Sequence, residues 1–173
     1  PLDIVDDHSR FCIALIPEIH TRDVVVRAFL DAFETYGLPD AVLSDNGGQF
    51  SGVRRGITQL ELLLMDLDIR PMHGRAYHPQ TQGKIERFHG TMKRELLNGR
   101  VFAELEEARS AMAEWRNKYN TLRPHEALEM KTPAAVYKPS ERRLPEKIAD
   151  WEYSGEWPTA RVNKQGYVRA KPF

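Results

Sequence analysis

The stretch AVLSDNGGQF, residues 41–50, is a short apolar run that ends in a carboxylate and a turn. The run predicts a buried strand, and the Asn-Gly-Gly after Asp45 predicts a tight turn. Carboxylates at the end of a buried strand, beside a turn that glycine permits, face the crevice where α/β sheets bind ligands. Asp45 is therefore a candidate ligand residue. Taken alone, the stretch favours the alternative of an aspartate that only satisfies the backbone of its own turn.

The segments around this strand predict a mixed α/β domain in which helices flank a sheet. Residues 1–16 hold two apolar runs around a polar turn, which is typical of a hairpin, and residues 21–37 show helical periodicity behind Thr21, a candidate N-cap. The downstream pattern predicts a helix over about 56–67, a strand near 69–73, a polar mobile loop over 74–83, and helices over about 83–98 and 103–121.

The last two predicted helices carry apolar stripes that indicate their buried faces. The RPH stretch that follows them, residues 123–125, is predicted to cap the long helix and pack against the core. The stripes are Ile85, Phe88, Met92 and Leu96 on the first helix, and Leu105, Ala108, Met112, Trp115 and Tyr119 on the second.

Composition places the chain among ordinary globular proteins, and its charge is unevenly distributed. The net charge is zero, but residues 1–50 hold 9 acidic and 3 basic side chains whereas residues 51–100 hold 9 basic and 5 acidic ones. Acids therefore gather early, where a metal could bind, and cations gather later. Charge alone is equally compatible with a solvated surface on which like charges cluster by chance.

Two features bear on the compartment. The longest apolar runs are too short to span a bilayer, and no secretory signal precedes the first strand. The single cysteine, Cys12, allows no internal disulfide, which fits a reducing compartment. Because the chain opens on Pro1, we expect a fragment or processed piece of an intracellular, cytoplasmic protein without a membrane partner.

The predicted helix after the polar loop carries one acidic residue in a basic setting. At about 100° per residue, Glu86, His89 and Lys93 fall on one strip. An internal ion-pair face is one interpretation of this strip. The basic residues of this helix outnumber its acids, which suits phosphate better than internal pairing; they are Lys84, Arg87, Lys93 and Arg94.

Two glutamines, Gln80 and Gln82, precede this helix in the predicted loop. Amide side chains hydrogen-bond bases or phosphates without carrying charge, so both are candidate DNA contacts. An ordinary polar loop is equally compatible with these two residues.

Five motifs in this order resemble a known family. They are DDHSRF (6–11), SDNGGQF (44–50), YHPQTQGKIERFH (77–89), YNTLRPHEAL (119–128) and KTPAAVY (131–137). Together they resemble the retroviral integrase and DDE transposase core, and most closely the bacterial insertion-sequence transposases of the integrase type. The resemblance covers roughly residues 1–140.

This resemblance implies a ribonuclease-H-like fold and a DDE-type polynucleotidyl transferase that cuts and transfers DNA strands in transposition. In such cores three carboxylates hold two Mg²⁺ or Mn²⁺ ions, and Asp45 and Glu86 match two of them. Lys93 would contact DNA phosphate near the cut end, and Gln80 and Gln82 would belong to the active-site loop. The implied partners are double-stranded DNA, as element ends and target, and further copies of the chain at the bacterial nucleoid.

One departure from the family pattern concerns its first carboxylate. That residue lies on a strand upstream of the hairpin, and Asp3, Asp6 and Asp7 match the hairpin itself. We therefore expect a sheet that lacks its first strand and a fragment that is inactive without the first Asp. The interval of 41 residues between Asp45 and Glu86 is also long for the family, and residues 52–56 are a candidate insertion.

The motif positions predict three regions. Residues 1–138 form the integrase-type core, residues 139–160 a linker, and residues 161–173 the beginning of a small β-barrel-like domain that contacts DNA. Two other functions stay open on the sequence: a non-catalytic DNA-binding or assembly module of the same fold, and a metal-dependent nuclease that cuts but does not join.

Overall fold

The computed structural model describes residues 1–18, 21–45, 47–48, 50, 56–74 and 79–148, with backbone alone for residues 79–82. The predicted C-terminal β domain and residues 52–55 of the candidate insertion at 52–56 lie outside these residues. The elements are β1 (Leu2–Val5), β2 (Cys12–Ile16), α1 (Arg22–Tyr36), β3 (Ala41–Ser44), α2 (Gln59–Asp66), β4 (Arg70–His73), α3 (Pro79–Met92), a π-helical turn (Lys93–Leu97), α4 (Leu105–Thr121), a 3₁₀ turn (Glu126–Leu128) and α5 (Pro133–Val136).

The described strands form two separate pairs. In the predicted hairpin, β1 runs antiparallel to β2, with Leu2 opposite Ile16. β3 runs parallel to β4, with Ser44 opposite His73 at their carboxyl ends. No described strand joins the two pairs.

Side-chain caps set the starts of the first two helices. The Thr21 hydroxyl accepts a hydrogen bond from the Val24 N–H, which confirms the predicted N-cap of α1. α2 begins at Gln59 rather than near residue 56 because Thr58 and Glu61 form a capping box. The two reciprocal bonds are Glu61 N–H to the Thr58 hydroxyl at 3.1 Å and Thr58 N–H to Glu61 Oε2 at 2.7 Å.

The predicted loop over 74–83 is wrong in its second half, because α3 begins at Pro79. Proline is favoured in the first turn of a helix, where its missing N–H has no partner to lose. The helix continues to Met92 and passes into the π-helical turn, whose last residue is Leu97. The second half of the polar stretch therefore contributes the start of α3.

Two hydrophobic clusters hold these elements. The first packs α1 and α2 against β1, with Val25 and Leu64 almost fully buried. The second packs α3 against α4 and β2, and it buries Phe88 and Trp115. The predicted stripe of α4 is wrong at Leu105, which is 46% exposed because it is the first residue of the helix.

The chain after α5 docks onto the first cluster as far as it is described. The Arg142 guanidinium donates to the carbonyl groups of Pro39 and Leu67 at 3.1 and 2.9 Å. Gly37 ends α1 with φ +81°, and a Cβ there would approach the Ser140 carbonyl to 2.6 Å. Among the described residues, no helix combines the length and apolar character that a membrane span requires.

Candidate active site

Asp45 directly follows β3 and is exposed. Its Oδ1 accepts a hydrogen bond from the Gly47 N–H at 2.8 Å, so the carboxylate closes its own turn as the alternative interpretation expects. A carboxylate has about four lone-pair sites, so this bond leaves it able to accept further ligands. The turn thus fixes the carboxylate at the strand end rather than excluding it from a metal site.

A polar network that the sequence did not predict supports this edge. The Ser44 hydroxyl lies 3.2 Å from His73 Nδ1, and His73 Nε2 lies 2.8 Å from Glu61 Oε1. The Gly74 N–H also donates to the Ser44 carbonyl at 3.0 Å. The network joins the ends of β3 and β4 to the first turn of α2. Only the Thr58-x-x-Glu61 capping-box spacing was a sequence signal for it, since His73 is distant in sequence.

Glu86 lies on α3 and is exposed. The ion-pair interpretation of its strip requires a cation on the same helix to bind it. Within the part of the chain that the structure describes, Glu86 has no ion pair and no side-chain hydrogen bond. The carboxylate is therefore available to a ligand from outside the described residues.

The strip that contains Glu86 is anchored to the hairpin by His89. His89 Nε2 lies 2.8 Å from Oδ1 of Asp3, a β1 residue whose side chain is only 10% exposed. The hydrogen bond to Asp3 raises the pKa of His89, although partial burial opposes it. Asp3 thus makes a structural contact, and this contact turns the side of α3 that carries Glu86 and His89 toward β1.

The other predicted DNA contacts occupy different positions. Lys93 is exposed at the first residue of the π-helical turn, a feature frequent at functional sites. Lys84 binds Asp7 on the hairpin turn at 2.6 Å, and Arg87 and Arg94 are exposed. The side chains of Gln80 and Gln82 lie outside the described part of the structure.

The donor chemistry of Asp45 and Glu86 fits a hard divalent cation, because carboxylate oxygens are the ligands that Mg²⁺ and Mn²⁺ prefer. Across the described ranges, however, no three His, Cys, Asp or Glu residues come together as a metal cluster. These two residues therefore supply suitable ligands but not a complete set of three.

Comparison with known proteins decides the family. Models described as integrase core domain match residues 1–79 and 67–133, which together include most of the chain. The chain belongs to the integrase core domain family. The resemblance to integrase-type transposases that the five motifs predict is confirmed.

Relatives of this integrase core occur in bacterial insertion elements. The chain is 30% identical over 141 residues to the 31.7 kDa protein of insertion element IS407 from Burkholderia multivorans, a match that covers 77% of this chain and 47% of the relative. It is also 30% identical over 134 residues to the 39.2 kDa protein of IS476 from Xanthomonas euvesicatoria, covering 77% and 37%. The chain therefore spans half or less of the length of these relatives.

Solved structures confirm the predicted ribonuclease-H-like fold. The catalytic core domain of BIV integrase superposes with a TM-score of 0.59 at 26% identity, covering 78% of this chain and 82% of that one. The HTLV-2 integrase catalytic core domain, solved in complex with magnesium, gives a TM-score of 0.54 at 22% identity and covers 76% and 80%. The chain therefore shares the fold of these retroviral integrase cores, although only 22% and 26% of the residues are identical.

Proposed function

We propose that this chain is the core of an insertion-element transposase that cuts and transfers DNA strands with divalent metal. The observation that carries the proposal is Glu86, an exposed carboxylate without a partner among the described residues, on a helix whose other charges are mostly basic. A carboxylate beside cations that does not pair with them is suited to hold a metal ion while the cations hold a polyanion.

Asp45 and Glu86 would be the metal ligands that this chain contributes. When bound, a pair of Mg²⁺ or Mn²⁺ ions supplies activation of a water or 3′-hydroxyl and stabilisation of the leaving oxygen at phosphorus. The Gly47 N–H and the network through Ser44 and His73 hold the Asp45 end of the site. On the Glu86 side, the bond between His89 and Asp3 holds α3 against β1.

The basic side chains of α3 would bind the DNA backbone. Lys93 follows Glu86 by seven residues, about two helical turns, and would contact a phosphate close to the cut end. Lys84, Arg87 and Arg94 would add sequence-independent phosphate contacts. Gln80 and Gln82, in the first turn of α3, would approach the DNA end. We also propose that several copies assemble on paired element ends at the nucleoid in the cytoplasm.

The three aspartates of the hairpin have contacts within the described structure, and the motifs match none of them to the first carboxylate of the family, so we propose that the third ligand comes from outside residues 1–18. Asp3 binds His89, and Asp7 binds Lys84. Asp6 Oδ2 accepts hydrogen bonds from the Ser9 N–H and hydroxyl at 2.7 and 2.6 Å. The chain alone would then be inactive, and activity would need the strand that carries the first Asp.

A Mn²⁺-dependent cleavage and joining assay on labelled element-end DNA tests this function. The protein is extended upstream through the next strand and compared with its Glu86→Gln variant and with the present chain. Glu141→Gln is the matched control, since Glu141 is exposed and has no partner in the described structure. We expect the extended protein and its Glu141→Gln variant to cut and join, and the other two proteins to be silent.

Other outcomes would contradict the proposal, and each would support a different function. Equal activity of Glu86→Gln and its parent would make Glu86 a surface residue and remove the catalytic assignment. Cutting without joining would identify a nuclease of the same fold. If every form binds DNA and none reacts, the chain is a binding or assembly module, the function that two ligands without a third would favour.

A further inference from the structure

A cleft lies beside α3, and Glu86 is not among the residues that line it. It has a volume of about 590 Å³ and is bounded by α3, the turn between β1 and β2, and the residues after α4. Arg87 and Thr91, which line it, lie about 100° and 140° from Glu86 around the helix axis. The cleft and the proposed metal site therefore occupy different faces of one helix.

The cleft is strongly basic. Among the described residues, one carboxylate, Glu126, lines it. Lys84 is paired with Asp7 and Arg123 with Glu95, but Arg87 and Arg94 have no ion pair within the described ranges. The five basic side chains in its wall are Arg10, Lys84, Arg87, Arg94 and Arg123. The positive charge of the wall is thus not balanced by its own acids.

His125 adds an unsatisfied polar atom to this wall. Its Nε2 is buried and has no hydrogen-bond partner among the described residues, and its ring packs edge-on against Tyr119 at 5.1 Å. Burial lowers the pKa of His125, and the charges of Arg123 and Arg10 lower it further. A buried nitrogen without a partner is costly, so a bound polar group that exchanges a hydrogen bond with it would stabilise the site.

The backbone also places one arginine here at a cost. Arg10 has φ 64°, the left-handed region that non-glycine residues rarely adopt. Its N–H donates to the Asp6 carbonyl at 2.9 Å, which holds the hairpin turn in this conformation. Strained backbone of this kind clusters at ligand-binding sites, and here it positions a guanidinium in the cleft wall.

We propose that this cleft binds phosphates of the DNA backbone at a place separate from the metal site. The proposal rests on the proposed function in taking DNA as the substrate. From Lys84 to Arg94 the basic wall extends ~15 Å along the helix, several times the rise per nucleotide of one strand. Arginine forks bind phosphate bidentately, so the site suits a run of phosphodiesters better than one free anion.

Three residues enter the DNA-binding surface through this inference: Arg10, Arg123 and His125. None of them belongs to α3, and the sequence did not single them out as DNA contacts. They complete the wall opposite Arg87 and Arg94 from segments more than 100 residues apart in the chain. The cleft would hold the duplex on a face of α3 other than the one that carries Glu86.

Equilibrium binding of the 173-residue chain to labelled duplex DNA, in EDTA to exclude catalysis, tests the cleft. The test variant is Arg87→Gln with Arg94→Gln, since both side chains are exposed and without an ion pair in the described structure. The matched control is Lys138→Gln with Arg143→Gln, which removes the same charge elsewhere on the surface. We expect the test variant to bind at least about 10-fold more weakly, and the slope of log K against log salt to fall by about 2.

The control variant should change the affinity by less than about 2-fold, because neither Lys138 nor Arg143 lines the cleft. Equal losses of DNA affinity in both variants would overturn the proposal, because binding would then depend only on the net charge of the protein. A second arm uses inorganic pyrophosphate at constant ionic strength, with thermal unfolding as readout. Stabilisation that the test variant abolishes, together with unchanged DNA binding, would assign the cleft to a free phosphate compound instead.

Two substitutions of His125 test the unsatisfied nitrogen. His125→Phe keeps the ring against Tyr119 but removes the polar atom, whereas His125→Gln keeps a donor. We expect the Phe variant to lose DNA affinity several-fold and the Gln variant to retain most of it, with both proteins folded by circular dichroism. Equal affinities of the Phe variant and the parent would remove His125 from the site.

The outcomes separate this inference from the proposed function. Binding in EDTA does not depend on Glu86, so a cleft effect can stand even where the cleavage assay fails. Conversely, cleavage that depends on Glu86, with equal binding losses in both double variants, would leave the proposed function in place and remove the cleft.

Discussion

The two polar faces of α3 differ in how their charges are used. On one face, Glu86 has no partner in the described structure and His89 is tied to Asp3 of β1. On the other, Arg87, together with Arg94 of the π-helical turn, lines a basic cleft, and neither has an ion pair in the described structure. The charges of one helix could in principle have neutralised each other. Their separation by rotation around the axis prevents this and leaves an acid for metal and cations for phosphate.

The buried stripe between these faces makes the separation possible. Phe88 packs edge-on against Trp115 and Tyr119, with ring centroids 5.6 and 5.2 Å away. This contact fixes the rotation of α3 about its axis, so both faces keep their directions. The comparison teaches that a mixed-charge helix becomes interpretable only when its packing sets which residues share a side.

The largest effect is expected from Phe88→Ala, which should release the rotation of α3 and so disturb both of its polar faces. Truncating a buried Phe removes aromatic packing and leaves a cavity, at a cost of about 3–5 kcal/mol in the free energy of unfolding. Urea denaturation measures the loss. Val101→Ala, at a position 91% exposed, is the control and should change stability by less than about 0.5 kcal/mol. DNA binding that survives Phe88→Ala unchanged would show that the cleft does not depend on this packing.

A smaller and more selective effect should distinguish Lys93 from Arg87. In the upstream-extended protein we expect Lys93→Ala to slow Mn²⁺-dependent cutting about 10-fold, because misplacing the reacting end is costly in rate. Its effect on DNA affinity should stay near 2-fold, the loss of about one phosphate contact. Arg87→Ala should show the reverse balance. Cutting rates and affinities that fall in the same proportion for both variants would erase the functional difference between the two faces.

The smallest effect is a pH dependence of opposite sign for the two histidines. Asp3 raises the pKa of His89, so this contact stabilises the fold fully below about pH 6.5 and the contribution is lost as the pH rises through the raised value. Since the His89 side chain is 49% exposed, screening keeps the contribution under about 1 kcal/mol. Asp3→Asn should flatten this loss of stability toward high pH.

His125 on the cleft should behave in the opposite way. Burial lowers its pKa, so the folded state favours the neutral ring, and stability falls as the pH drops from about 6.5 through the lowered value. Urea unfolding between pH 5 and 8 measures both trends, and His125→Phe should flatten the fall toward low pH. If Asp3→Asn and His125→Phe altered the pH profile in the same direction, the assignment of opposite environments would be wrong.

Much of the local structure follows from short-range sequence signals. Thr21 caps α1 as predicted, and the hairpin lies where its two apolar runs place it. Predictions failed where the same residues are compatible with two local structures. The Pro and Gln residues before Glu86 predict a loop, yet Pro79 is also a good first helical residue, and the helix begins there.

The sequence by itself determined the family, the order of the elements and the two candidate ligands Asp45 and Glu86, because motifs and periodicity are properties of neighbouring residues. Tertiary structure alone decided which distant groups meet. His89 contacts Asp3, which is 86 positions away in the sequence, and His73 of β4 contacts Glu61 of α2. Spacing sets which residues share a side of a helix, but burial of the two hydrophobic clusters sets what that side faces. For that reason the basic cleft, built from the hairpin turn, α3 and the chain after α4, was not predictable from any one segment.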